Sequence, residues 1–404
     1  MSSKSQLPPD MFEAEARGLQ HNALRRANER AVLTVIGFNA GVSNADIARL
    51  SGLAPQTVSA ILADIDRAGL ITRGQMLRGR RGQPATPIFL RANAAFAIGV
   101  EIGWRHVTAL LLDLHANVVS QLRRTHDYPD ARTLFDVIVE MTDALMIAMP
   151  KGGKDRLLDM GVSVPANFAH NLGYVQAPDE QDALWAAIDI AGHLQERTGL
   201  EVTVFNDGNA ACWAELIACP KPRPSSFIYF LIGYRTVAGI VGEGVLWEGP
   251  SGHSANLGSM LVTDSDGQFQ PADTIASLRC LVRRLADAGI AADMAAIEQW
   301  DWISFEPVLE QWIADCAHVL ARVVFNTTAV IESKMVVIDG VLPADIIERL
   351  VQRMRITLAA LPIQSDAAPN VVAGHVGGLA PAIGAAELPL YRRYFSRALV
   401  HTAD

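Results

Sequence analysis

The feature that most restricts how this chain can fold is a short motif that occurs twice. Ile102-Gly103-Trp104-Arg105-His106-Val107-Thr108-Ala109 is matched in residue type by Ile232-Gly233-Tyr234-Arg235-Thr236-Val237-Ala238. Each copy sits in a meander of three short strands, at residues 96–101, 107–113 and 118–123, and again at 227–232, 236–242 and 245–247. These runs are rich in β-branched and apolar residues and are bounded by turn residues, which is the signature of strands. A strand is expected at 159–164, a helix at 183–198 and a further strand at 202–205. A duplicated strand–turn–strand unit in an alternating α/β chain predicts two similar lobes with a cleft between them. The alternative is coincidence between two hairpins, since short aromatic-Arg turns are not rare.

The 404 residues exceed what one folding unit usually holds, so two or three units are expected. Charge divides them. Residues 21–91 hold ten arginines against Glu29, Asp46, Asp64 and Asp66, a balance of +6, whereas the whole chain stands at −9 and residues 92–404 at −14. A small basic unit joined to a large acidic one predicts nucleic-acid contact at one end only. The apolar stretches are interrupted by Gly, His or charge before reaching the roughly 20 residues of a membrane span, and MSSKSQLPPD lacks an apolar leader. A cytoplasmic location with no membrane partner is therefore expected. Cys212, Cys219, Cys280 and Cys316 form no C-x-x-C pair and read as reduced, partly buried small residues.

The basic unit has its own pattern. Residues 1–20 read as a flexible tail. Leu24, Ala27, Ala31, Val32, Val35 and Ile36 recur at helical spacing up to Gly41. Ser43 and Asp46 form an S-x-x-D start signal for a second helix, and Pro55 suits the first turn of a third that ends at Gly69. Strands at 70–72 and 86–90 flank a Gly/Arg loop. This is the layout of a winged helix-turn-helix domain over residues 21–91. Val58, Ile61, Leu62 and Ile65 should face inward, leaving Pro55, Gln56, Thr57 and Ser59 at the outward end that meets base edges, with Ser43 nearby. Arg78, Arg80 and Arg81 fall at the wing tip, suited to phosphate or minor-groove contact. The same domain used for protein contact is the alternative.

From about residue 22 to the C-terminus the chain resembles the ROK family (repressor, open reading frame, kinase), in its branch of DNA-binding, sugar-responsive regulators. Ala54-Pro55-Gln56-Thr57-Val58-Ser59 resembles the family's recognition helix. Gly99-Val100-Glu101-Ile102-Gly103-Trp104-Arg105 stands where the kinases carry a first phosphate loop, G-I-D-I-G-G-T, and 233–239 stands on the second, G-T-G-I-G-G-G. Phe205-Asn206-Asp207-Gly208-Asn209-Ala210 resembles the N-D-A-N segment, and 249–259 stands on the sugar loop that ends G-E-I-G-H. The resemblance implies an N-terminal winged helix-turn-helix followed, over 92–404, by an actin-like domain of two ribonuclease-H-like lobes around a sugar cleft, which also serves oligomerisation.

The departures from the family pattern are selective. Glu101, Trp104 and Arg105 replace Asp, Gly and Thr in the first loop, and Tyr234 and Arg235 replace Thr and Gly in the second. A phosphate cradle needs backbone N–H groups at glycine turns, so both halves of the ATP site are expected to be blocked. Asn206 and Asp207 remain; in the family they bind sugar hydroxyls, the Asp also serving the kinases as base. N-D-G is also a turn signal, so Asp207 as a helix cap is the competing reading. Asn256 and Ser259 replace the Glu and His of the sugar loop, and the family's cysteine cluster is missing from 269–278. No metal, no cofactor and no catalytic residue are therefore expected.

Three functions compete. The first is a regulator, by family habit a repressor, that binds double-stranded operator DNA as a homodimer or homotetramer and holds a sugar or sugar derivative at Asn206, Asp207, Asn256 and Ser259. The second is an active sugar kinase using Asp207 as base. The third is a DNA-binding protein whose second domain only oligomerises. The double loss of the phosphate turns argues against the second, and retention of Asn206-Asp207 against the third.

Overall fold

The computed structural model describes residues 21–75, 86–253, 255–362 and 368–396. The tail at 1–20, Ser254 and the wing arginines Arg78, Arg80 and Arg81 lie outside the described residues. The chain divides into two compact units. The first comprises the described residues up to Arg91 together with Arg393–Ser396, and the second runs from Ala92 to Arg392. The chain thus passes from one unit to the other twice.

In the first unit, α1 (His21–Phe38), α2 (Asn44–Ser51) and α3 (Pro55–Arg67) precede an antiparallel pair, β1 (Ile71–Arg73) and β2 (Ile88–Leu90). The Ser43 side chain accepts from the Asp46 N–H while the Asp46 carboxylate accepts from the Ser43 N–H, a reciprocal capping box that starts α2. Gly52 and Gly69 take the left-handed conformation after α2 and α3. Val32 and Ile36 of α1, Ile47 of α2, Val58, Leu62 and Ile65 of α3, and Ile71 and Ile88 of the strands are all buried. The core is closed by the far end of the chain. Phe395 is 9% exposed, its ring lies 6.1 Å from that of Phe38, and the Ser396 N–H donates to Thr34 Oγ1 at 2.9 Å. Residues 393–396 thus belong with the N-terminal unit, although the resemblance assigned all of 92–404 to one domain.

The second unit contains the duplication. β3 (Phe96–Ile102), β4 (His106–Asp113) and β5 (Val118–Thr125) form an antiparallel meander, followed by α4 (Leu134–Ala148) and β6 (Leu157–Val164). Two helices, α5 (Glu180–Ala187) and α6 (Ile190–Thr198), stand where the sequence predicted one over 183–198. The break falls at Asp189, whose side chain accepts from the Gly192 N–H and starts a new helix inside an apolar run. β7 (Glu201–Asn206) and α7 (Asp207–Ala218) complete the first half. The sheet order is β5-β4-β3-β6-β7, with β6 and β7 parallel to β3.

The second half begins with β8 (Phe227–Ile232), β9 (Thr236–Gly242) and β10 (Val245–Leu246). A small hairpin of β11 (Leu261–Thr263) and β12 (Phe269–Pro271) follows, then α8 (Leu278–Asp287), α9 (Val308–Thr328), β13 (Met335–Gly340), α10 (Ala344–Ala359), β14 (Asn370–Ala373) and α11 (Ala380–Tyr394). Its sheet order, β10-β9-β8-β13-β14, repeats that of the first, again with a meander and two parallel strands. Alternate residues of β3 (Phe96, Ile98, Val100) meet Phe135 and Ile138 of α4, while Ile228, Phe230 and Ile338 meet Trp312, Leu320 and Leu350 of α9 and α10. On the other face of β3 and β6, α11 lies so close that no side chain fits. A Cβ on Gly99 of β3 would stand 2.0 Å from the Ala382 carbonyl oxygen, and one on Gly161 of β6 would stand 1.8 Å from that of Ala385.

Candidate functional site

The four residues expected to bind an effector converge. β7 delivers Asn206 and α7 begins at Asp207, while Asn256 and Ser259 come from the loop between β10 and β11. All four line one cavity of about 210 Å³ in the second unit. Trp104, Asn167, Asn171, Tyr174, Arg235, His253 and Asp273 line it as well.

The packing of α7 fixes the Asn-Asp pair. A Cβ at position 208 would lie 2.2 Å from the Ala238 carbonyl oxygen, so glycine alone lets the start of α7 sit against β9. Asn206 is the helix cap, its side-chain oxygen accepting from the Asn209 N–H at 3.1 Å. Its amide donates to Asp207 Oδ1 at 3.1 Å, and the Gly208 N–H donates to the same oxygen at 2.8 Å. Asn209 Nδ2 donates to the Gly252 carbonyl at 2.9 Å, which ties the loop bearing Asn256 and Ser259 to α7. The capping role that the sequence left open for Asp207 therefore falls to Asn206.

Burial pushes the Asp207 carboxyl up to about 7; the Gly208 N–H opposes this, the Glu101 charge adds to it, and Arg235 works against it. Its native value lies above that of an unfolded chain, so the native state loses stability as pH rises from about 4 and the loss is complete above about 7. Asp207→Asn keeps an acceptor for both hydrogen bonds and removes the charge. Its thermal stability should gain on wild type from pH 5 to pH 8, by at most about 2–3 kcal/mol, levelling off above pH 7. Parallel melting curves for the two proteins at both pH values would show that the carboxyl is not held in this state.

The opposite wall is aromatic and cationic. Trp104 is 5% exposed, with its ring 5.2 Å from Phe168 and 6.1 Å from Tyr174. The Tyr234 hydroxyl donates to the Tyr174 carbonyl at 2.7 Å. The Arg235 guanidinium lies 4.4 Å from the centre of the Tyr174 ring and pairs with the buried Asp273. Arg279 stands over the same ring at 4.5 Å, and Arg105 over that of Tyr234 at 5.6 Å. Glu101 Oε2 lies 3.2 Å from His106 Nε2. Trp104, Tyr234 and Arg235 are thus joined to each other through Tyr174.

In the first unit, Pro55, Gln56, Thr57 and Ser59 are exposed on α3, opposite its buried face. Ser59 Oγ accepts from Asn44 Nδ2 at 3.1 Å. The Ser43 hydroxyl is engaged with Asp46, so its place is that of a cap. Asp64 pairs with Arg25 and Arg67, and Asp66 with Arg73.

The ROK family profile matches residues 97–391. The chain belongs to the ROK family. It is 28% identical to the uncharacterized protein y4fQ of Sinorhizobium fredii (strain NBRC 101917 / NGR234) over 93% of each chain. It is 25% identical to the xylose repressor of Bacillus spizizenii (strain ATCC 23059 / NRRL B-14472 / W23), over 59% of this chain and 61% of the repressor. The chain thus matches about three fifths of that relative's length. A solved ROK family transcriptional regulator, described as a homolog of the E. coli MLC protein, superposes with a TM-score of 0.65 at 16% identity, over 92% of this chain and 98% of that one. That likeness is one of fold. The ROK unit resembles the actin-like fold of sugar kinases. No helix among the described residues is long and apolar enough to cross a membrane.

The sequence pointed to Asn206, Asp207, Asn256 and Ser259 but not to Asn167, Asn171, Tyr174 or His253 as residues of the ROK cavity. Asn167 takes a left-handed φ of 52° before the irregular turns at 168–175, where no periodicity marks a side chain as facing inward. The paired Asn167 and Asn171 are the one signal there, four residues apart. With these groups, the cavity offers amide and hydroxyl partners, one carboxyl of raised pKa and an aromatic wall, a set suited to a polyhydroxylated ring.

Proposed function

We propose that this ROK protein is a sugar-responsive, DNA-binding transcription regulator, a repressor by analogy with its named relatives. The observation that carries this reading is the state of the cavity. It keeps the Asn206-Asp207 pair beside Asn256 and Ser259, while Trp104, Tyr234 and Arg235 fill the turns on which a kinase would seat its phosphates. Such a cavity can bind a sugar without transferring a phosphoryl group, and ATP with Mg²⁺ should give no sugar-dependent ADP release.

In this reading the first unit is a winged helix-turn-helix. Gln56, Thr57 and Ser59 on α3 meet base edges in the major groove, Pro55 opens the helix, and Arg78, Arg80 and Arg81 contact the backbone from the wing. A two-fold symmetric homodimer, or a tetramer built from two such dimers, then reads a pseudo-palindromic operator. A ligand bound more tightly by one arrangement of the lobes shifts DNA affinity by the difference.

The test is selection of duplexes from a random pool by the full chain, followed by binding measurements at several salt concentrations. Gln56→Ala and Thr57→Ala should each relax preference at one position by about 1–3 kcal/mol. Arg80→Ala should weaken binding to all sequences and reduce the salt slope by about one. No enrichment at low salt would overturn the reading.

A further inference from the structure

A second polar cluster lies at the other end of α7. Glu215, in the last turn of α7, and Cys219, its C-cap, are four residues apart, and the Cys219 N–H donates to the Glu215 carbonyl. Both are buried, and Glu215 Oε1 lies 3.7 Å from Cys219 Sγ. His375, on the loop after β14, brings Nδ1 to 2.7 Å from the same Oε1, and its backbone N–H donates to Glu215 Oε2 at 2.9 Å. Among the described residues, this is the one group of three such donors whose ligand atoms all lie within 4.8 Å of one another.

We propose that Glu215, Cys219 and His375 form a binding site for a divalent transition-metal ion of the zinc class. One thiolate, one imidazole and one carboxylate make a donor set that suits Zn²⁺ or Co²⁺ and does not suit Mg²⁺ or Ca²⁺. In a tetrahedral zinc site, bond lengths of about 2.0–2.3 Å place a sulfur and an oxygen ligand about 3.5 Å apart and a nitrogen and an oxygen about 3.3 Å apart. The Cys219–Glu215 spacing already fits. The His375–Glu215 pair must open by about half an ångström, and the imidazole, whose side chain is 47% exposed, is the member free to move. That exposure also gives an ion its way in and leaves the fourth position to water.

The loop bearing His375 is held from behind. The Asp339 carboxylate accepts from the Gly340 N–H at 2.8 Å, from the Gly377 N–H at 2.9 Å and from the Tyr229 hydroxyl at 3.0 Å. Such support behind a ligand loop orients the ligand before the ion arrives. On binding, the Cys219 thiol gives its proton to solvent, and the imidazole proton moves from Nδ1 to Nε2 so that the Nδ1 lone pair faces the ion. The site differs from the eroded sugar loop at Asn256–Ser259 in every residue. Cysteine spacing could not show it, because two ligands lie on one helix and the third is 156 positions further along the sequence.

The test uses the full chain, stripped with a chelator and titrated with CoCl₂ and then ZnSO₄. One equivalent of Co²⁺ should bind with a thiolate-to-cobalt charge-transfer band in the near ultraviolet, and Zn²⁺ should displace it. Cys219→Ser should abolish the band. His375→Ala, in which the backbone N–H of position 375 still bonds Glu215 Oε2 and a cooperative metal-free melt verifies folding, should weaken Co²⁺ binding at least about 10-fold. Absence of stoichiometric Co²⁺ binding, a band that survives in Cys219→Ser, or full affinity in His375→Ala would each overturn the proposal.

Discussion

A chain carrying Asp207→Ala should bind operator DNA within about twofold of wild type, because its site and the recognition helix belong to separate units. At pH 8, where the Asp207 carboxyl is ionised, the concentration of effector needed to change that binding should rise at least about 100-fold, since each hydrogen bond to a charged acceptor contributes about 1.5–3 kcal/mol and a sugar can offer two hydroxyls to one carboxylate. The side chain is 8% exposed and spends only Oδ1 on the Asn206 amide and the Gly208 N–H, so its removal leaves the Asn206 cap in place. Comparing operator-binding curves with and without the sugar identified by thermal shift would measure both quantities. An effector response equal to that of wild type would move the site away from the start of α7.

The second large effect concerns the far end of the chain. Phe395→Ala should destabilise the first unit by about 3–5 kcal/mol, the range for a buried aromatic truncated to alanine. The ring sits against Phe38, and a Cβ on Gly37 would stand 3.0 Å from both this ring and the Leu90 side chain, so the ring is part of a close-packed core. Operator binding should be lost at a temperature well below that at which the ROK unit loses sugar binding, separating two transitions in one melt. A fragment of residues 21–91 should fail in the same way, because it lacks the residues that close its core. A Phe395→Ala chain that holds operator DNA up to the wild-type temperature would show the contact to be dispensable.

Much of this architecture is legible in the sequence because it rests on local chemistry. The Ser43–Asp46 box, Pro55 at the start of α3 and Gly69 after it mark their helices without help from the rest of the fold. The Trp104-Arg105 and Tyr234-Arg235 turns disclose the duplication because they repeat a pattern of residue types at one strand end. What escapes is whatever depends on distant partners. Asp189 reads as one polar residue in an apolar helix until its bond to Gly192 shows a helix beginning there. Tyr174 joins the two replaced turns, yet nothing near it in the chain says so. Nothing near Phe395 in the chain marks a partner, and only the packed structure shows which core it fills.

That last placement has a consequence for how the protein is made. A ribosome releases the N-terminal helices first, but the residue that closes their core is about 300 positions later. At roughly 5–20 residues per second, synthesis of the intervening stretch takes on the order of 15–60 s. Throughout that interval the nascent chain carries an incomplete first unit while the ROK unit is still emerging. The first unit is thus completed only after the ROK unit has been translated, and in the regulator proposed above a chain cut short before Phe395 would lack the piece it needs to hold a promoter without answering to a sugar.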